Sequence, residues 1–280
     1  MAVKIVTDSA SDITAEEAKA MGITMVPMSL QFGEEEYQCG VNLSAKEFYE
    51  KLVVAKELPK TSMVSAYCFE EEFKKQTANG DEVIVVVISS KLSGTCDAAK
   101  QAATAFEGKV FVVDSLSAAA GERLLCMYAL KLIQEGKSAG QVFDELEKVK
   151  HKLCVMAALE TLEYLKRGGR ISSAAAFVGG MLKIKPVVKM VDGEVKMVGK
   201  AHGQRRASAL LNSIVKERGG IDFSMPYGVI WAGLDDGVAQ NYIADCASYL
   251  EGRKVPDYIL GSTIGTHVGP GAFGWAFFEK

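Results

Sequence analysis

The sequence predicts an α/β protein with a Rossmann-like parallel sheet in its N-terminal half and a mixed α/β sheet in its C-terminal half. Three apolar runs of the first half, Val3–Val6, Val83–Ile88 and Val110–Val113, end in clusters of Thr, Ser and Asp that precede helical stretches. Alternating strands and helices form parallel sheets, and their ligands bind beyond the C-terminal strand ends. The second half differs, because Asp192-Gly193 between two β-like runs indicates a hairpin.

Length and composition fit two ordinary domains, which we place at residues 1–150 and 151–280. Hydrophobic residues make up 49% of the chain and charged residues 24%, and the net charge of −3 with scattered Lys and Arg argues against nucleic acid binding. The longest apolar runs, Val83–Ile88 and Leu153–Leu159, are far shorter than the roughly 18 residues that span a bilayer. The N-terminal residues indicate a strand rather than a signal peptide, so we expect a cytoplasmic protein with at most transient membrane contact.

Capping boxes begin three predicted helices of the first half, at Thr14, Ser44 and Ser138. The first helix ends near Met21, and the β-like run Ile23–Leu30 follows it. A hydroxyl-rich loop at 60–65 precedes a further helix. Its Thr and Ser side chains either cap that helix or contribute to a site.

The segment from Val83 to Ala103 predicts a buried strand, a polar turn and a helix. We place Ser93, Gly94 and Thr95 in the first turn of that helix. Unpaired N–H groups and hydroxyls at a helix N-terminus either cap the helix or bind an anion such as a carboxylate or phosphate. The segment alone leaves both interpretations open.

The second half contains further β-like runs and two amphipathic stretches. The predicted strands are Leu153–Leu159, Lys185–Met190, Glu194–Val198, Tyr227–Ala232 and Tyr258–Gly261, and the predicted helices are Ser208–Arg218 and Ala239–Leu250. A glycine-rich loop, Gly265–Gly274, precedes a last strand through Phe278.

Metal and disulfide sites are not predicted. The six cysteines lie tens of residues apart without a CxxC pair, and the three histidines form no HxH or HExxH pair. Asp8 and Asp12 follow the first strand, where such side chains usually bond nearby backbone. We therefore expect no metal and no other cofactor.

Two nucleotide-binding motifs are also excluded. The segment Gly269-Pro270-Gly271-Ala272-Phe273-Gly274 matches the dinucleotide fingerprint in form, but that motif needs a following helix and an acidic residue about 20 positions further on. The sequence ends at Lys280, so we expect no nicotinamide or flavin site. It also contains no GxxxxGKS or GxxxxGKT segment, and so we expect no P-loop for ATP.

A serine-type esterase is the alternative function. Ser93 would be the nucleophile and His267 the base, with Asp235 or Asp236 between them in the chain. Lys91 stands where a GxSxG elbow requires its first glycine, which weighs against this alternative. The predicted glycine-rich loop around His267 lets the backbone approach a ligand closely, although packing is the commoner role of a lone histidine.

The basic residues Lys166, Arg167 and Arg170 form a further candidate cluster. A solvated turn is the default interpretation of such a cluster. A phosphate clamp and a docking patch for an acidic partner are the alternatives.

Seven segments together resemble the DegV family of bacterial proteins, which includes the fatty-acid-binding subunits of bacterial fatty acid kinase. They run in the family's order from Thr7 to Gly274. The segments are Thr7–Asp12, Thr61-Ser62, Ser89–Thr95, Asp114-Ser115, Leu165–Ile171, Lys185-Pro186 and Gly269–Gly274.

The resemblance implies two α/β domains with a long-chain fatty acid held between them and its acyl chain in an apolar tunnel. Carried over by motif, the carboxylate ligands are Thr61, Ser62, Ser93, the N–H of Gly94, and His267. A separate ATP-binding kinase subunit would phosphorylate the presented carboxylate to an acyl phosphate. This chain would then be a substrate-binding subunit without a complete active site.

The same resemblance makes Arg170 and its neighbours Lys166 and Arg167 candidate contacts for the kinase subunit. One position departs from the family pattern, which usually has proline two residues after the Thr61-Ser62 pair. Val64 occupies this position, so the loop lacks the fixed φ that proline would give it.

Overall fold

The computed structural model describes residues 2–171 and 183–280. Its strands, in chain order, are β1 Val3–Asp8, β2 Ile23–Val26, β3 Ser29–Phe32, β4 Glu35–Gln38, β5 Lys60–Ser62, β6 Glu82–Val87, β7 Val110–Asp114, β8 Leu153–Ala158, β9 Ile184–Val191, β10 Glu194–His202, β11 Gly228–Trp231, β12 Asp257–Ile259 and β13 Phe273–Phe278. Its α-helices are α1 Ala15–Met21, α2 Ala45–Val54, α3 Ala66–Thr77, α4 Thr95–Ala103, α5 Ala120–Gln134, α6 Ala139–Val149, α7 Glu163–Arg167, α8 Gln204–Glu217, α9 Gly237–Asp245, α10 Ala247–Leu250 and α11 Ser262–Val268.

The first sheet is parallel throughout, with the strand order β2-β1-β6-β7. Strand β6 is its most apolar member, and Val83–Val87 are completely buried. Such continuous burial is typical of parallel strands that helices cover on both faces. Helices α3, α4, α5 and α6 pack against this sheet, and the predicted parallel α/β arrangement of the first half is confirmed.

The polar clusters that follow these strands meet at one edge of the sheet. The carboxylate of Asp8, at the end of β1, accepts hydrogen bonds from the N–H groups of Ala10 at 2.7 Å and Ile88 at 2.9 Å. Asp114, at the end of β7, accepts from the N–H of Ser90 at 3.2 Å. The local bond of Asp8 to Ala10 agrees with the expectation for this acid, whereas its bond to Ile88 and that of Asp114 to Ser90 join segments far apart in the chain.

The second sheet is mixed, with the strand order β10-β9-β8-β13-β11-β12. All neighbouring pairs are antiparallel except β11 with β12. Asp192 and Gly193 form the two-residue turn between β9 and β10, with positive φ angles of 51° and 83°. A type I′ turn requires positive φ at both positions, so the Asp-Gly hairpin is confirmed.

The two faces of the second sheet belong to different cores. Val155, Ala157 and Val188 pack into the large core that the sheet shares with the first half of the chain. The alternate residues Cys154 and Met156 face a second core, together with residues of α8 and α9. The division at residues 150 and 151 follows the end of α6 and stays a prediction.

A third, antiparallel sheet with the order β4-β3-β5 was not predicted. The run Ile23–Leu30, expected as one strand, divides around Pro27 into β2 of the first sheet and β3 of this small sheet. Proline cannot donate to a strand ladder, which explains the break. Strand β5 carries Thr61 and Ser62, which were expected in a loop.

The structure corrects two further expectations near the candidate site. Helix α4 begins at Thr95 with Gly94 as its N-cap, so Ser93 and Gly94 precede the first turn. His267 lies on α11 and not in a glycine-rich loop. This short helix packs closely on α2, since a Cβ on its Gly265 would lie 2.6 Å from the ring of Phe48. A helix of this length depends on such packing for its stability.

Candidate functional site

A cavity of about 290 Å³ lies between the second sheet and the loops that follow β6 and β7. Its volume lies just below the range of about 300–1,000 Å³ that is typical of small-molecule pockets. Most of the lining is aliphatic and includes Met28, Ile88, Val155, Val188, Val195 and Ile230. The predicted residues Thr61, Ser62, Ser93, Gly94 and His267 all line this cavity.

Thr61 and His267 meet although 206 positions separate them in the chain. The Oγ1 of Thr61, on β5, is 3.0 Å from Nε2 of His267, on α11. Burial, together with the positive charge of Arg170, lowers the pKa of His267 to about 4. The imidazole is therefore neutral near pH 7, and one of its nitrogens can donate a hydrogen bond.

The glycine at position 168 allows His267 to occupy this place. A Cβ on Gly168 would lie 2.2 Å from Nδ1 of His267, which is closer than any real contact of this kind. Nδ1 itself is buried and has no hydrogen-bond partner among the described residues. Gly168 thus packs directly against the histidine ring.

Ser93 stands beside the start of α4. Its Oγ is 2.9 Å from Oγ1 of Thr95 and accepts the N–H of Thr95 at 3.3 Å. Thr95 Oγ1 in turn accepts the N–H of Val64 at 3.3 Å. This chain of bonds joins the Ser93 loop to the segment that follows Thr61 and Ser62.

The three basic residues of the candidate cluster have different positions. Arg170 lines the cavity, and its guanidinium donates to the carbonyl groups of Leu92 and Gly168. Lys166 and Arg167 are exposed and do not line the cavity. Arg167 pairs with Glu163 at 2.6 Å on the surface.

Two other polar residues of the cavity wall already have partners. Thr263 is 3.0 Å from the hydroxyl of Ser9, and the ammonium of Lys189 is 3.6 Å from Glu279. The remaining polar residues of the lining are Thr61, Ser62, Ser93, Arg170 and His267, together with Gly94.

The residues of the predicted serine triad do not form one in the described structure. No hydrogen bond joins Ser93 to His267, since His267 bonds Thr61 and Ser93 bonds Thr95. Asp235 and Asp236 bond within their own segment, to Gly237 and Gln240, and neither lines the cavity. The arrangement lacks the base–nucleophile contact that activates a serine.

Residues 2–171 and 183–280 contain no cluster of three or more His, Cys, Asp or Glu side chains suited to a metal ion. In the same residues, no helix has the length and apolar character that crossing a membrane requires.

Sequence reasoning missed most of the aliphatic wall. Val155, Ala157, Val188 and Met190 occupy alternate positions of β8 and β9, on the face turned toward the first half of the chain. An alternation of apolar and polar residues along a strand would have indicated its buried face. Strand β8, however, is apolar at every position, so its sequence does not show which face borders a cavity.

Comparison with known proteins agrees with this architecture. The model of the family described as "Uncharacterised protein, DegV family" matches residues 2–280. A DegV domain-containing protein of Deinococcus radiodurans is 35% identical over 280 residues, covering 99% of this chain and 98% of that protein.

Two similar solved structures also belong to relatives of this chain. A DegV family protein of Thermus thermophilus, described by its fatty acid binding, has a TM-score of 0.89, 30% identity and full coverage of both chains. A stearic-acid-binding protein of Eubacterium ventriosum has a TM-score of 0.88 and 26% identity, covering 100% of this chain and 99% of its own. Family model, sequence relatives and fold agree over nearly the whole chain, and the protein belongs to the DegV family.

Proposed function

We propose that this protein binds a long-chain fatty acid, with the acyl chain in the cavity between the sheets and the carboxylate at its polar end. The observation that carries the proposal is the aliphatic cavity that Thr61, Ser93 and His267 all line, with Thr61 and His267 3.0 Å apart. The fatty-acid-binding relatives from Thermus thermophilus and Eubacterium ventriosum support it, because they share the fold over the full chain.

The polar end suits a carboxylate better than a neutral group. The hydroxyls of Thr61, Ser62 and Ser93, the N–H of Gly94 and the neutral ring of His267 are its proposed donors. An unpaired buried carboxylate is strongly destabilised, so several donors must replace its water shell. Arg170 supplies a positive charge at the same wall, where its side chain lines the cavity.

The aliphatic wall of the cavity supplies affinity for the acyl chain of the fatty acid. Each methylene transferred from water into such a surface contributes about 0.8 kcal/mol. A long acyl chain therefore gains more from this cavity than a short acid with the same carboxylate contacts.

We further propose that the protein presents its bound carboxylate to a separate ATP-dependent kinase subunit, and that it is a cytoplasmic substrate-binding subunit rather than an enzyme. The different positions of the three basic residues, two on the surface and one at the cavity, support this role. Lys166 and Arg167 are exposed and available to a partner, whereas Arg170 reaches the cavity wall from the adjacent segment.

Solvent extraction tests the binding proposal directly. The purified protein, before and after incubation with mixed fatty acids, is extracted with organic solvent, and the released acids are identified by mass spectrometry. We expect about one long-chain acid per protein molecule. Recovery of no stoichiometric acid after incubation would contradict the proposal.

A further inference from the structure

Helix α11 carries His267 near its C-terminal end and lines the proposed fatty-acid cavity with Thr263 and Ile264. It comprises only the seven residues Ser262–Val268, and isolated helices of this length are unstable in water. Its N-cap residue is Gly261, which has no side chain to cap the helix. The contacts that hold the start of α11 must therefore come from elsewhere in the chain.

A carboxyl group of the first half of the chain contacts the start of α11. Oδ1 of Asp12 accepts the N–H of Gly261 at 2.9 Å, although 249 positions separate the two residues. In a capping box, a side chain of the same helix accepts the N–H of the N-cap residue. Asp12 makes the corresponding bond from outside the helix. A Cβ at position 261 would lie 3.0 Å from this oxygen, so glycine allows the carboxyl group to approach closely.

Asp12 is itself held in place by several contacts. Its φ of 54° lies in the left-handed region, which aspartate, asparagine and glycine adopt more readily than other residues. Its carbonyl accepts a hydrogen bond from the buried guanidinium of Arg123, which also donates to both carboxylate oxygens of Glu17, at 2.8 and 2.7 Å. The same guanidinium lies over the ring of Tyr258, 4.5 Å from its centre. The carboxyl group of Asp12 is thus a fixed anchor for α11.

Two hydroxyl groups of the first half add contacts at the same end of the helix. Oγ of Ser9 is 3.0 Å from Oγ1 of Thr263. The phenol of Tyr49 donates to the carbonyl of Leu260 at 2.9 Å. Together with the bond from the carboxyl group, these contacts all fall within residues 260–263.

His267 lies at the opposite end of the helix, six residues after Gly261. At the helical rise per residue, this separation is about 9 Å. The ring contacts the hydroxyl of Thr61, 3.0 Å from Nε2, and packs against Gly168, while Nδ1 has no hydrogen-bond partner among the described residues. Because a helix of fewer than two turns moves as a unit, a tilt at its start displaces the ring at its end.

We propose that Asp12 is a positioning residue for the fatty-acid site: its bond to Gly261 fixes the start of α11 and thereby holds the ring of His267 against Thr61. This role rests on the proposed function, because the ring is one of the proposed donors to the carboxylate. Asp12 does not itself line the fatty-acid cavity, so it acts only through the helix. Ser9 supports the same end of α11 through its contact with the helix.

A neutral group at position 12 is sufficient for this role. Burial is the chief cause that raises the pKa of Asp12 to about 8, against the opposing effects of the N–H of Gly261 and the charge of Arg123. The carboxyl group is therefore mostly protonated near pH 7, and Oδ1 still accepts the N–H. Asparagine has a similar shape, an acceptor oxygen and tolerance of a positive φ. Asp12→Asn is thus the conservative replacement that should preserve the position of the ring.

The titration of His267 tests this role without any ligand. NMR spectra of the full-length protein without added fatty acid follow the ring from acid to neutral pH, and His267→Gln assigns its signal. Burial is the chief cause of its pKa of about 4, so a ring that leaves its place takes up a proton at higher pH. In Asp12→Gly, where glycine adopts the positive φ freely, we expect the pKa of His267 to rise by at least about one pH unit. The Kd of this variant for oleate should rise about threefold or more.

Two variants separate the position of the ring from stability in general. Asp12→Asn should match the parent protein in both measurements, and a His267 pKa as high as that of Asp12→Gly would contradict the role of the bond. Val215→Ala opens a cavity in the second core and should unfold at a lower urea concentration, with the His267 pKa and the oleate Kd unchanged. An equal rise of the His267 pKa in Val215→Ala and Asp12→Gly would overturn the proposed role, because lost stability alone would then explain it.

Gly261→Ala and Ser9→Ala decide the matter if Asp12→Gly does not fold. The first crowds Oδ1 of Asp12 from the side of the helix, and the second removes the hydroxyl beside Thr263. Each should raise the pKa of His267 and weaken oleate binding. Unchanged values in both variants, or in a folded Asp12→Gly, would overturn the proposed role. A parent protein that does not bind oleate would overturn the proposed function instead, and the titration of His267 then still decides whether Asp12 positions the ring.

Discussion

The backbone N–H of Val64 donates a hydrogen bond to the hydroxyl of Thr95, at 3.3 Å. Val64 is buried and follows the Thr61-Ser62 pair by two positions, where relatives of this chain were expected to have proline. A proline in that place lacks the N–H and could not make this bond. The bond thus offers another way to hold the Thr61-Ser62 segment against the start of α4.

Replacement of Val64 by proline should therefore destabilise the site rather than improve it. We expect Val64→Pro to lower the free energy of unfolding by about 1 kcal/mol or more, and to weaken retention of labelled oleate. Thr95→Val removes the same bond from the other side. Urea unfolding of both single variants and the double variant measures the coupling, and fully additive losses would contradict this role.

Removal of the Ser93 hydroxyl should weaken binding of the carboxylate. A hydrogen bond to a charged group contributes about 1.5–3 kcal/mol, so Ser93→Ala should raise the Kd for oleate about 10-fold to 100-fold. Ser90→Ala is the matched control, because Ser90 lies in the same loop without lining the cavity. Equal retention of labelled oleate by the two variants would exclude Ser93 as a ligand.

A side chain at position 168 should displace the histidine. Gly168→Ala places a Cβ where Nδ1 of His267 now lies, 2.2 Å away, and the ring has to move off Thr61. We expect weaker oleate binding with little change in secondary structure. Gly140→Ala, in α6, meets only the ring of Phe111 at 3.9 Å and should bind oleate normally while stabilising its helix.

Oleate retention and circular dichroism measure both glycine variants. Normal retention in Gly168→Ala would show that the position of the histidine ring does not matter for binding.

The buried histidine should make the free energy of unfolding depend on pH in the acidic range. The pKa of His267 is about 4 in the folded protein, against 6.5 ordinarily, so between those values the unfolded chain binds a proton that the folded chain does not. Its contribution to the free energy of unfolding is therefore largest above about pH 6.5 and falls as the pH drops toward 4. His267→Gln removes this dependence.

Urea unfolding of the parent protein and His267→Gln across this pH range measures the effect. The stability difference between the two proteins should shrink as the solution is acidified. His151→Gln, a substitution of an exposed histidine, is the control. A difference for His267→Gln that stays constant with pH would contradict a neutral buried imidazole.

Local signals in the sequence were sufficient for much of the fold. The capping boxes at Thr14, Ser44 and Ser138 form as predicted, because each depends on residues within one helical turn. The Asp192-Gly193 hairpin also depends only on local backbone geometry. The parallel sheet followed from the alternation of buried runs with helices.

The features that the sequence did not reveal depend on contacts between residues far apart in the chain. The residues of α11 from Gly265 to Val268 were expected in a glycine-rich loop, yet Phe48 and Tyr49 of α2 pack against Gly265 and hold it in the helix. The contact of Thr61 with His267 has no local signal at all. The family resemblance predicted that these two residues share a site, and the geometry brings them within 3.0 Å.

The hairpin turn has a mechanical consequence for the cavity. The hydroxyl of Ser89, after β6, donates to the carbonyl of Gly193 at 2.7 Å, so the turn of the second sheet is bonded to the edge of the first. A Cβ on Gly193 would lie 2.5 Å from that hydroxyl, and so only glycine permits the contact. Any widening of the space between the sheets at this point must stretch a bond worth about 1 kcal/mol. The width of the cavity is therefore restrained by two residues that do not themselves line it.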